Sequence, residues 1–298
     1  MPEEEYEFTP TSRLMQPDEI FQLASVFIEQ GVKKIRLTGG EPLVRKDAAI
    51  IIEKLAALPI ELTLTTNATR LFHFIPLLQS CGIKTINVSL DTLQEERFVL
   101  ITRRKQFSEV RNNIDTLLEK GFKVKINVVV MKGINEDEIN DFVSWTKHYP
   151  VHIRFIEFMP FSGNRWSSNK VVSLQDILNT IATQYEFENE FSNFHDTAKV
   201  YKVPEHQGTF GVISTMTEPF CGGCNRMRLT ADGKLKNCLF SKGETDLLSA
   251  LRNGEEITPL IRQNIWSKEK ELGGQFTGAM EKINAINIDN RSMITIGG

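Results

Sequence analysis

The chain has 298 residues, of which 41% are hydrophobic and 24% charged, and its formal net charge is −3. These values are typical of a globular protein with one large domain or two modest ones. The small negative charge excludes a general attraction to nucleic acid or to an anionic membrane, so anions must be bound by local basic clusters. No apolar run is long enough to span a bilayer, and the acidic start Glu3-Glu4-Glu5 is unlike a signal peptide. We therefore expect a cytoplasmic protein that uses neither membrane nor nucleic acid.

The first half of the chain repeats a strand followed by a helix. The candidate strands are Lys33–Gly39, Glu61–Asn67, Thr85–Asp91, Lys123–Met131 and Val151–Phe158. The candidate helices are Pro17–Gln30, Lys46–Leu58, Phe72–Ser80, Phe107–Lys120, Glu136–His148 and Leu174–Tyr185. Strands that alternate with helices of this length predict an α/β fold with a parallel sheet, either doubly wound or curled into a barrel.

Every candidate strand alternates polar with apolar residues, although parallel strands covered by helices are usually apolar throughout. The polar residues that would share one face are Lys34, Arg36, Thr38, Thr63, Thr65, Asn67, Asn87, Ser89, Asp91, Lys123, Lys125, Asn127, His152 and Arg154. One interpretation is an antiparallel sheet with an exposed face, which the helix-length connections disfavour. The other is a barrel or partial barrel with a polar interior.

In the barrel interpretation, four cations converge on one cavity. They are Lys34, Arg36, Lys125 and Arg154. Buried cations without a counter-charge are very costly, so an anion is expected to neutralise them. The pattern therefore predicts a phosphorylated ligand.

The composition changes after residue 198. From Lys199 onward the sequence favours short strands and turns, with a hairpin turn at Asp232-Gly233. We therefore predict two regions, residues 1–198 and residues 199–298.

Three of the four cysteines fall within eighteen residues of the second region, namely Cys221, Cys224 and Cys238. The predicted hairpin would bring Cys238 level with about Arg226 or Met227, so the three thiols would meet at one end of it. The alternatives are a structural zinc with His195 or His206 as fourth ligand, unligated cysteines, and an iron–sulfur cluster with one open iron. Because Arg226 and Arg228 would lie beside the metal, a centre that touches an anionic substrate is favoured. The fourth cysteine, Cys81, is predicted to be a small, buried apolar residue.

Several motifs in this order resemble the family called molybdenum cofactor biosynthesis protein A, or GTP 3',8-cyclase, within the radical S-adenosylmethionine (radical SAM) superfamily. The motifs are Thr38-Gly39-Gly40-Glu41-Pro42-Leu43, Thr65-Thr66-Asn67, Val88-Ser89-Leu90-Asp91, Ile153–Met159, Cys221-x-x-Cys224-x-Arg226-x-Arg228 and the terminal Gly297-Gly298. The resemblance covers essentially the whole chain. It implies an incomplete, TIM-like (β/α)6 radical SAM barrel that lacks its first strand, followed by an iron–sulfur region.

The resemblance also implies roles for individual residues. Those at the S-adenosylmethionine site would be Gly39, Gly40, Glu41, Ser89 and Met159. Those at the GTP site would be Lys34, Arg36, Thr65, Lys125, Arg154, Arg226 and Arg228. A [4Fe-4S] cluster would be held by Cys221, Cys224 and Cys238, with its open iron at the guanine base. No catalytic side chain is assigned.

The start of the chain departs from the family pattern. The family has a Cys-x-x-x-Cys-x-x-Cys loop directly before a Met-Pro dipeptide, whereas this sequence begins at Met1-Pro2. The resemblance implies that this loop, the first barrel strand and one GTP-binding arginine lie upstream. A second [4Fe-4S] cluster, which would bind and cleave S-adenosylmethionine, is expected only if that segment exists.

With that segment, the implied reaction is the cyclisation of GTP to (8S)-3',8-cyclo-7,8-dihydroguanosine 5'-triphosphate, an early step of molybdenum cofactor biosynthesis. The implied partners are an electron donor, a downstream cyclic pyranopterin monophosphate synthase and a second copy in a homodimer. Without it, the alternative is a non-catalytic or decayed nucleotide-binding paralogue that retains only the C-terminal cluster. A third interpretation is a zinc-bearing barrel that binds another phosphorylated ligand.

Overall fold

The structure is a computed structural model that describes residues 9–276, 280, 283, 288 and 290–296. The strands of the described residues are β1 (Lys34–Leu37), β2 (Glu61–Thr66), β3 (Thr85–Ser89), β4 (Lys123–Val130), β5 (His152–Glu157), β6 (Glu188–Asn189), β7 (Lys199–Lys202), β8 (Thr209–Ile213), β9 (Arg228–Leu229), β10 (Lys234–Lys236) and β11 (Thr245–Asp246). The five strands predicted in the first half are all present. The Met1-Pro2 start and the Gly297-Gly298 end lie outside the described residues.

Six α-helices of the described residues were predicted, and three that are longer than one turn were not. The α-helices of the described residues are α1 (Pro17–Glu29), α2 (Ala48–Ala56), α3 (Ile75–Ser80), α4 (Glu95–Thr102), α5 (Phe107–Glu119), α6 (Ile139–Trp145), α7 (Leu174–Ala182), α8 (Leu247–Arg252), α9 (Ile257–Trp266) and α10 (Met293–Ile296). In the described part of the chain, no helix has both the length and the apolar composition needed to cross a bilayer.

The main sheet has the strand order β1-β2-β3-β4-β5-β8-β7-β6. In this order, each pair of adjacent strands from β1 through β5 to β8 is parallel. Strand β7 pairs antiparallel with β8, and β6 pairs antiparallel with β7. The predicted α/β fold with a parallel sheet is therefore confirmed, and the antiparallel interpretation of the first five strands is wrong. In the described residues the order is open, with β1 and β6 at its two ends.

The main hydrophobic core lies between the sheet and the helices that cover it. Its members include Leu64 of β2, Val88 of β3, Ile126 of β4, Phe155 of β5 and Phe210 of β8, each almost fully buried. These residues occupy the strand positions that alternate with the polar ones. Apolar side chains therefore face the helices, and the polar set is left to the opposite face.

The C-terminal region is built around a second, smaller sheet, β11-β10-β9. Its buried Leu235 packs in one cluster with Leu23 and Phe27 of α1 and with Leu248 and Ile261. The N-terminal helix α1 therefore contributes to the core that supports the cysteine-bearing hairpin. Strands β7 and β8 also lie beyond residue 198 yet belong to the main sheet, and the division at residue 198 stays a prediction.

Helices α8 and α9 lie in the region for which the sequence favoured short strands and turns, and these two helices were not predicted. Asp246 begins α8, since its side chain accepts a hydrogen bond from Ser249 N at 2.9 Å. In α9, Ile257 and Ile261 are buried one turn apart. Both helices are short, and their amphipathic pattern is hard to separate from that of a short strand.

A buried glutamate connects β5, α7 and the turn after β8. The Glu157 carboxylate, which is fully buried, accepts hydrogen bonds from the backbone N–H groups of Leu174 at 3.0 Å, Met216 at 2.7 Å and Thr217 at 3.0 Å. The Thr217 hydroxyl also donates to it. Because Met159 follows two residues later, this carboxylate fixes the backbone that leads into a predicted cofactor site.

Replacing Glu157 with alanine is expected to destabilise the fold by about 3 kcal/mol or more. The buried N–H donors of Leu174 and Met216 and the part-buried N–H of Thr217 would lose their acceptor, and each unsatisfied buried donor costs about 1–3 kcal/mol. Urea unfolding followed by circular dichroism measures the change. Glu186→Ala is the matched control, because Glu186 is exposed and should change stability by less than about 0.5 kcal/mol. A loss below about 1 kcal/mol for Glu157→Ala would contradict this role.

Candidate functional site

The register of the parallel strands gathers the predicted polar residues on one face of the sheet. Adjacent strands pair Arg36 with Thr63, Thr65 with Asn87, Asn87 with Lys125, Lys125 with His152, Ser89 with Asn127, and Asn127 with Arg154. Residues paired in this way point to the same side. Hydrogen bonds connect the row: Asn87 Nδ2 donates to Thr65 Oγ1 at 3.2 Å, and Arg36 Nε donates to Thr63 Oγ1 at 3.4 Å.

The basic side chains of this face lie close enough to repel one another. Burial first, and then the positive charge of Arg154, lower the pKa of Lys125 to about 8. Lys34 and Arg36 act on Lys125 in the same direction. Burial, followed by the charge of Arg36, lowers the pKa of Arg154 to about 9. The four predicted cations therefore do converge, at a site of concentrated positive charge.

Lys34, which is one of these cations, and the neighbouring His152 differ from the other residues of the face. Lys34 lies at the exposed start of β1 and forms an ion pair with Glu61 at 2.7 Å. His152 is uncharged at neutral pH, because burial and then the charge of Arg154 lower its pKa to about 3. Its Nδ1 lies 2.7 Å from Thr209 Oγ1. His152 is therefore a neutral polar group of the face.

Three buried polar atoms on this face have no hydrogen-bond partner among the described residues. They are Asn87 Oδ1, Asn127 Oδ1 and Arg154 Nε. Buried polar atoms are nearly always satisfied in folded proteins. Two acceptors and one cationic donor on the same face are what a bound polar molecule with an anionic portion would satisfy.

The C-terminal hairpin brings two more arginines to this face. Burial, followed by the charges of Arg226 and Arg36, lowers the pKa of Arg228 to about 10. Burial and the charge of Arg226 likewise lower the pKa of Arg36. Arg36 itself stays open to solvent. The hairpin and the sheet therefore contribute cations to one site.

The hairpin has the predicted turn and register. Gly233 has a φ of 72°, and a Cβ there would lie 2.3 Å from Leu248 Cβ, so the turn requires glycine. Strand pairing joins Leu235 to Leu229 and Lys236 to Arg228. Continued by two residues, this register would bring Cys238 level with Arg226, one of the two positions expected from the sequence.

The three cysteines lie in one electrostatic environment. Burial raises the pKa of Cys221, and Cys238 and Cys224 act in the same direction, so the thiols are near one another. Burial alone would raise the pKa of Cys224, but hydrogen bonds and charges from Arg226 and Lys268 lower it on balance. Two of the sulfurs accept hydrogen bonds: Cys224 Sγ from Lys268 Nζ at 3.3 Å, and Cys221 Sγ from the backbone N–H of Leu272 at 3.5 Å.

The backbone of the cysteine loop is held by the segment before β7. Nδ1 of His195 lies 2.8 Å from the Gly223 carbonyl oxygen, which accepts the hydrogen bond. A Cβ on Gly223 would lie 2.0 Å from the Phe194 carbonyl oxygen, so only glycine allows this approach. His195 was considered from the sequence as a zinc ligand. In the structure its imidazole instead contacts the backbone of the cysteine loop. His206 is buried with its Nδ1 2.8 Å from Thr146 Oγ1.

Within the described residues, no group of three or more His, Cys, Asp or Glu side chains is arranged to hold a single metal ion. The donor set consists of three thiols, and N–H donors are directed at two of the sulfurs, those of Cys221 and Cys224. Cysteine thiolates that accept hydrogen bonds are the usual ligands of iron–sulfur clusters. The chemistry of these residues therefore fits a cluster. Cys81 is half-buried against the main core, and burial raises its pKa.

The residues predicted to bind S-adenosylmethionine lie at the carboxyl ends of the parallel strands. Gly39 and Gly40 follow β1, Ser89 ends β3, and Met159 follows β5. Carboxyl ends of parallel strands meet at one edge of the sheet, where such folds bind ligands. Gly39 has a φ of 112°, which favours glycine.

Glu41 uses its carboxylate to hold this edge together. It accepts hydrogen bonds from Leu43 N at 3.1 Å, Thr66 Oγ1 at 2.8 Å and Asn67 N at 2.7 Å. Burial raises its pKa, while these hydrogen bonds oppose the rise. The structure gives Glu41 a positioning role, in which the Gly39-Gly40 loop is attached to the end of β2.

Sequence reasoning missed four groups of this site. They are the amide oxygens of Asn87 and Asn127, which have no hydrogen-bond partner among the described residues, the Lys268 ammonium and the Leu272 N–H. The period of two had placed both asparagines on the polar face, but only the register shows that their oxygens are buried without partners. No sequence signal links Lys268 or Leu272 to cysteines more than forty residues away.

Two family models match most of the chain. Residues 3–146 match the Radical SAM superfamily, and residues 151–273 match Molybdenum Cofactor Synthesis C. Among solved structures, the chain is similar to Streptococcus suis SuiB bound to S-adenosylmethionine, with a TM-score of 0.57, 15% identity and coverage of 86% of this chain and 62% of that one. At this identity the likeness describes the fold alone.

Curated relatives match over nearly the whole chain. Molybdenum cofactor biosynthesis protein 1 of Mus musculus is 44% identical over 304 residues, which cover 100% of this chain and 47% of that protein. The chain thus spans about half the length of that relative. The mitochondrial GTP 3',8-cyclase of Arabidopsis thaliana is 41% identical, with 100% of this chain and 76% of the relative covered. GTP 3',8-cyclase of Rhodopirellula baltica is 40% identical, with 88% and 76% covered. The chain therefore belongs to the GTP 3',8-cyclase family of the radical SAM superfamily.

Proposed function

We propose that the chain binds GTP and takes part in its cyclisation to (8S)-3',8-cyclo-7,8-dihydroguanosine 5'-triphosphate, an early step of molybdenum cofactor biosynthesis. The observation that carries the proposal is the convergence of cations from two separate elements. Arg36, Lys125 and Arg154 come from the main sheet, and Arg226 and Arg228 from the hairpin. The names of the relatives supply the identity of the nucleotide.

A triphosphate suits the charge of this site. Burial first, and then neighbouring positive charges, lower the pKa values of Arg36, Lys125, Arg154 and Arg228, so a ligand with several negative charges would be bound with relief of that repulsion. Guanidinium groups bind phosphate oxygens through paired, charge-assisted hydrogen bonds. We assign Arg226 and Arg228 to the phosphates, together with Arg36 and Lys125. The buried amide oxygens of Asn87 and Asn127 are acceptors for donor groups of the same ligand, in addition to the residues predicted from the sequence.

We assign S-adenosylmethionine to the carboxyl-end edge formed by Gly39, Gly40, Ser89 and Met159. The glycines let the backbone approach an amino acid group of the ligand. When bound, S-adenosylmethionine together with a reducing iron–sulfur cluster would supply the radical chemistry of the family. The described residues would bind and orient both ligands and exclude water between them. The chain's four cysteines do not provide the ligands of that reducing cluster.

We assign the hairpin thiols of Cys221, Cys224 and Cys238 to a second [4Fe-4S] cluster with an open iron. The N–H donors on two of the sulfurs and the arginines beside them support this assignment. With three protein ligands, one iron stays available for an atom of the guanine base. The downstream cyclic pyranopterin monophosphate synthase, the electron donor and a homodimer are proposals that follow from the family. A cytoplasmic location is a proposal that follows from the composition of the sequence.

The double variant Arg226→Ala/Arg228→Ala is expected to bind GTP at least about 100-fold more weakly. Each charge-assisted hydrogen bond contributes about 1.5–3 kcal/mol, and every 1.4 kcal/mol is a factor of about ten. Isothermal titration calorimetry under anaerobic conditions measures the affinity. Arg104→Ala is the control, because Arg104 is exposed, follows α4 and is not one of the assigned GTP-binding cations, so its loss should leave binding unchanged. Equal affinity in the double variant and the wild type would reject the assigned pocket.

GTP affinity is expected to fall as the pH rises from 7.5 to 9.5. The pKa of Lys125 is about 8 in the ligand-free protein, so above pH 8 its side chain is mostly a neutral amine. This amine must take up a proton when the anion binds. Affinity should fall by up to about tenfold per pH unit for the proton that Lys125 takes up, and Arg154, whose pKa is about 9, adds to the fall above pH 9. The part of the fall assigned to Lys125 therefore lies between pH 7.5 and 9. The dissociation constant is measured across this range.

Lys125→Met should flatten that pH profile. Lys105→Met, which removes an exposed lysine, should keep it. A profile that stays steep in Lys125→Met would show that another group is responsible.

Anaerobic reconstitution of the chain is expected to yield about four irons and about four sulfides per chain, as one [4Fe-4S] cluster requires. Replacing any one of Cys221, Cys224 or Cys238 with alanine should lower this content strongly, whereas Cys81→Ala should not. Metal and sulfide analysis checks the result. Bound zinc without sulfide would overturn the cluster assignment and leave the GTP assignment standing.

A further inference from the structure

A lysine outside the predicted site donates three hydrogen bonds to the cysteine loop. Lys268 Nζ donates to Cys224 Sγ at 3.3 Å, to the Cys224 carbonyl oxygen at 2.9 Å and to the Arg226 carbonyl oxygen at 3.2 Å. An ammonium has three hydrogens to donate, so each has an acceptor on this loop. The side chain is half-buried, while its neighbours Glu269 and Lys270 are exposed.

The fold holds Lys268 in place through the end of α9. Asn237 Nδ2 donates to the Asn264 carbonyl oxygen at 2.8 Å and to Ser267 Oγ at 3.2 Å. Asn264 Nδ2 in turn donates to Thr245 Oγ1 at 2.9 Å. Asn237 directly precedes Cys238 in the sequence. The same network therefore fixes the third cysteine and the residue before Lys268.

The hydrogen bonds of Lys268 and Asn237 connect two cysteines, Cys224 and Cys238, that lie at opposite ends of the hairpin sequence. Lys268 contacts Cys224 at the start of the hairpin, and Asn237 fixes the backbone next to Cys238 at its end. Because both attach to the last turn of α9, they set the spacing of the two thiols. A positive charge and a hydrogen bond on a thiolate sulfur also stabilise the reduced state of an iron–sulfur cluster, which raises its reduction potential.

We propose that Lys268 positions Cys224 as a cluster ligand and raises the reduction potential of the hairpin cluster. The proposal rests on the cluster assigned above. Lys268 acts through Cys224 and needs no contact with GTP. Its removal is expected to make the cluster harder to reduce or to lower the amount of cluster that is bound.

The test compares wild type, Lys268→Met and Lys270→Met after anaerobic reconstitution. Lys268→Met removes the charge and the donors but keeps the length of the side chain. Lys270→Met removes the same charge from an exposed position two residues away. Iron and sulfide content are measured first. The midpoint potential then follows from a reductive titration with dithionite monitored by electron paramagnetic resonance.

Lys268→Met is expected to show a more negative midpoint potential than wild type, or a lower iron content with an unchanged far-ultraviolet circular dichroism spectrum. Lys270→Met is expected to match wild type in both. The same iron content and midpoint potential in Lys268→Met and wild type would overturn the inference. If Lys268→Met does not fold, Lys268→Gln replaces it and the same two outcomes apply.

The failure of the cluster assignment can be told apart from the failure of this inference. Wild-type protein that binds no iron and sulfide overturns the assigned cluster, and the role of Lys268 with it. Wild-type protein that binds a cluster unaffected by Lys268→Met overturns the role of Lys268 only.

Discussion

The rest of this structure depends on a concentration of positive charge that the fold brings together from two directions. Parallel strands place Arg36, Lys125 and Arg154 on one face, and a separate hairpin adds Arg226 and Arg228. Their mutual repulsion is unfavourable, and the cost must be met by packing elsewhere. The site can therefore form only because each set of cations is held by its own hydrophobic core, and an anion is the ligand that such a site favours.

The second core explains how the hairpin keeps its position against that repulsion. Leu235 of β10 packs with α1, α8 and α9, so the N-terminal and C-terminal parts of the chain share one cluster. The end of α9 also carries Lys268 to the cysteine loop, while His195 reaches the same loop from the segment before β7. The thiols thus lie where the cation site, the second core and an incoming loop meet. This arrangement places the three thiols beside the cation site.

Much of the main sheet could be predicted from the sequence, because its strands alternate with helices and keep a period of two. The polar side of each strand was predicted correctly for the same reason, as Arg36 and Arg154 show. The helices α8 and α9 were missed, since short amphipathic segments carry little periodic information. Glu157 was also missed as a structural centre, because its partners Leu174 and Met216 are distant in sequence and donate only through their backbones.

By itself, the sequence determined which residues are available: a polar face, a turn at Asp232-Gly233, three cysteines at hairpin spacing and the motifs of a family. Local periodicity and turn chemistry are sufficient for these because they depend on neighbouring residues. Only the tertiary structure decided that the hairpin arginines approach Arg36, that Asn87 and Asn127 keep buried oxygens without partners, and that Lys268 contacts Cys224. Such contacts join segments far apart in the chain, so strand register and core packing set them, and local pattern does not.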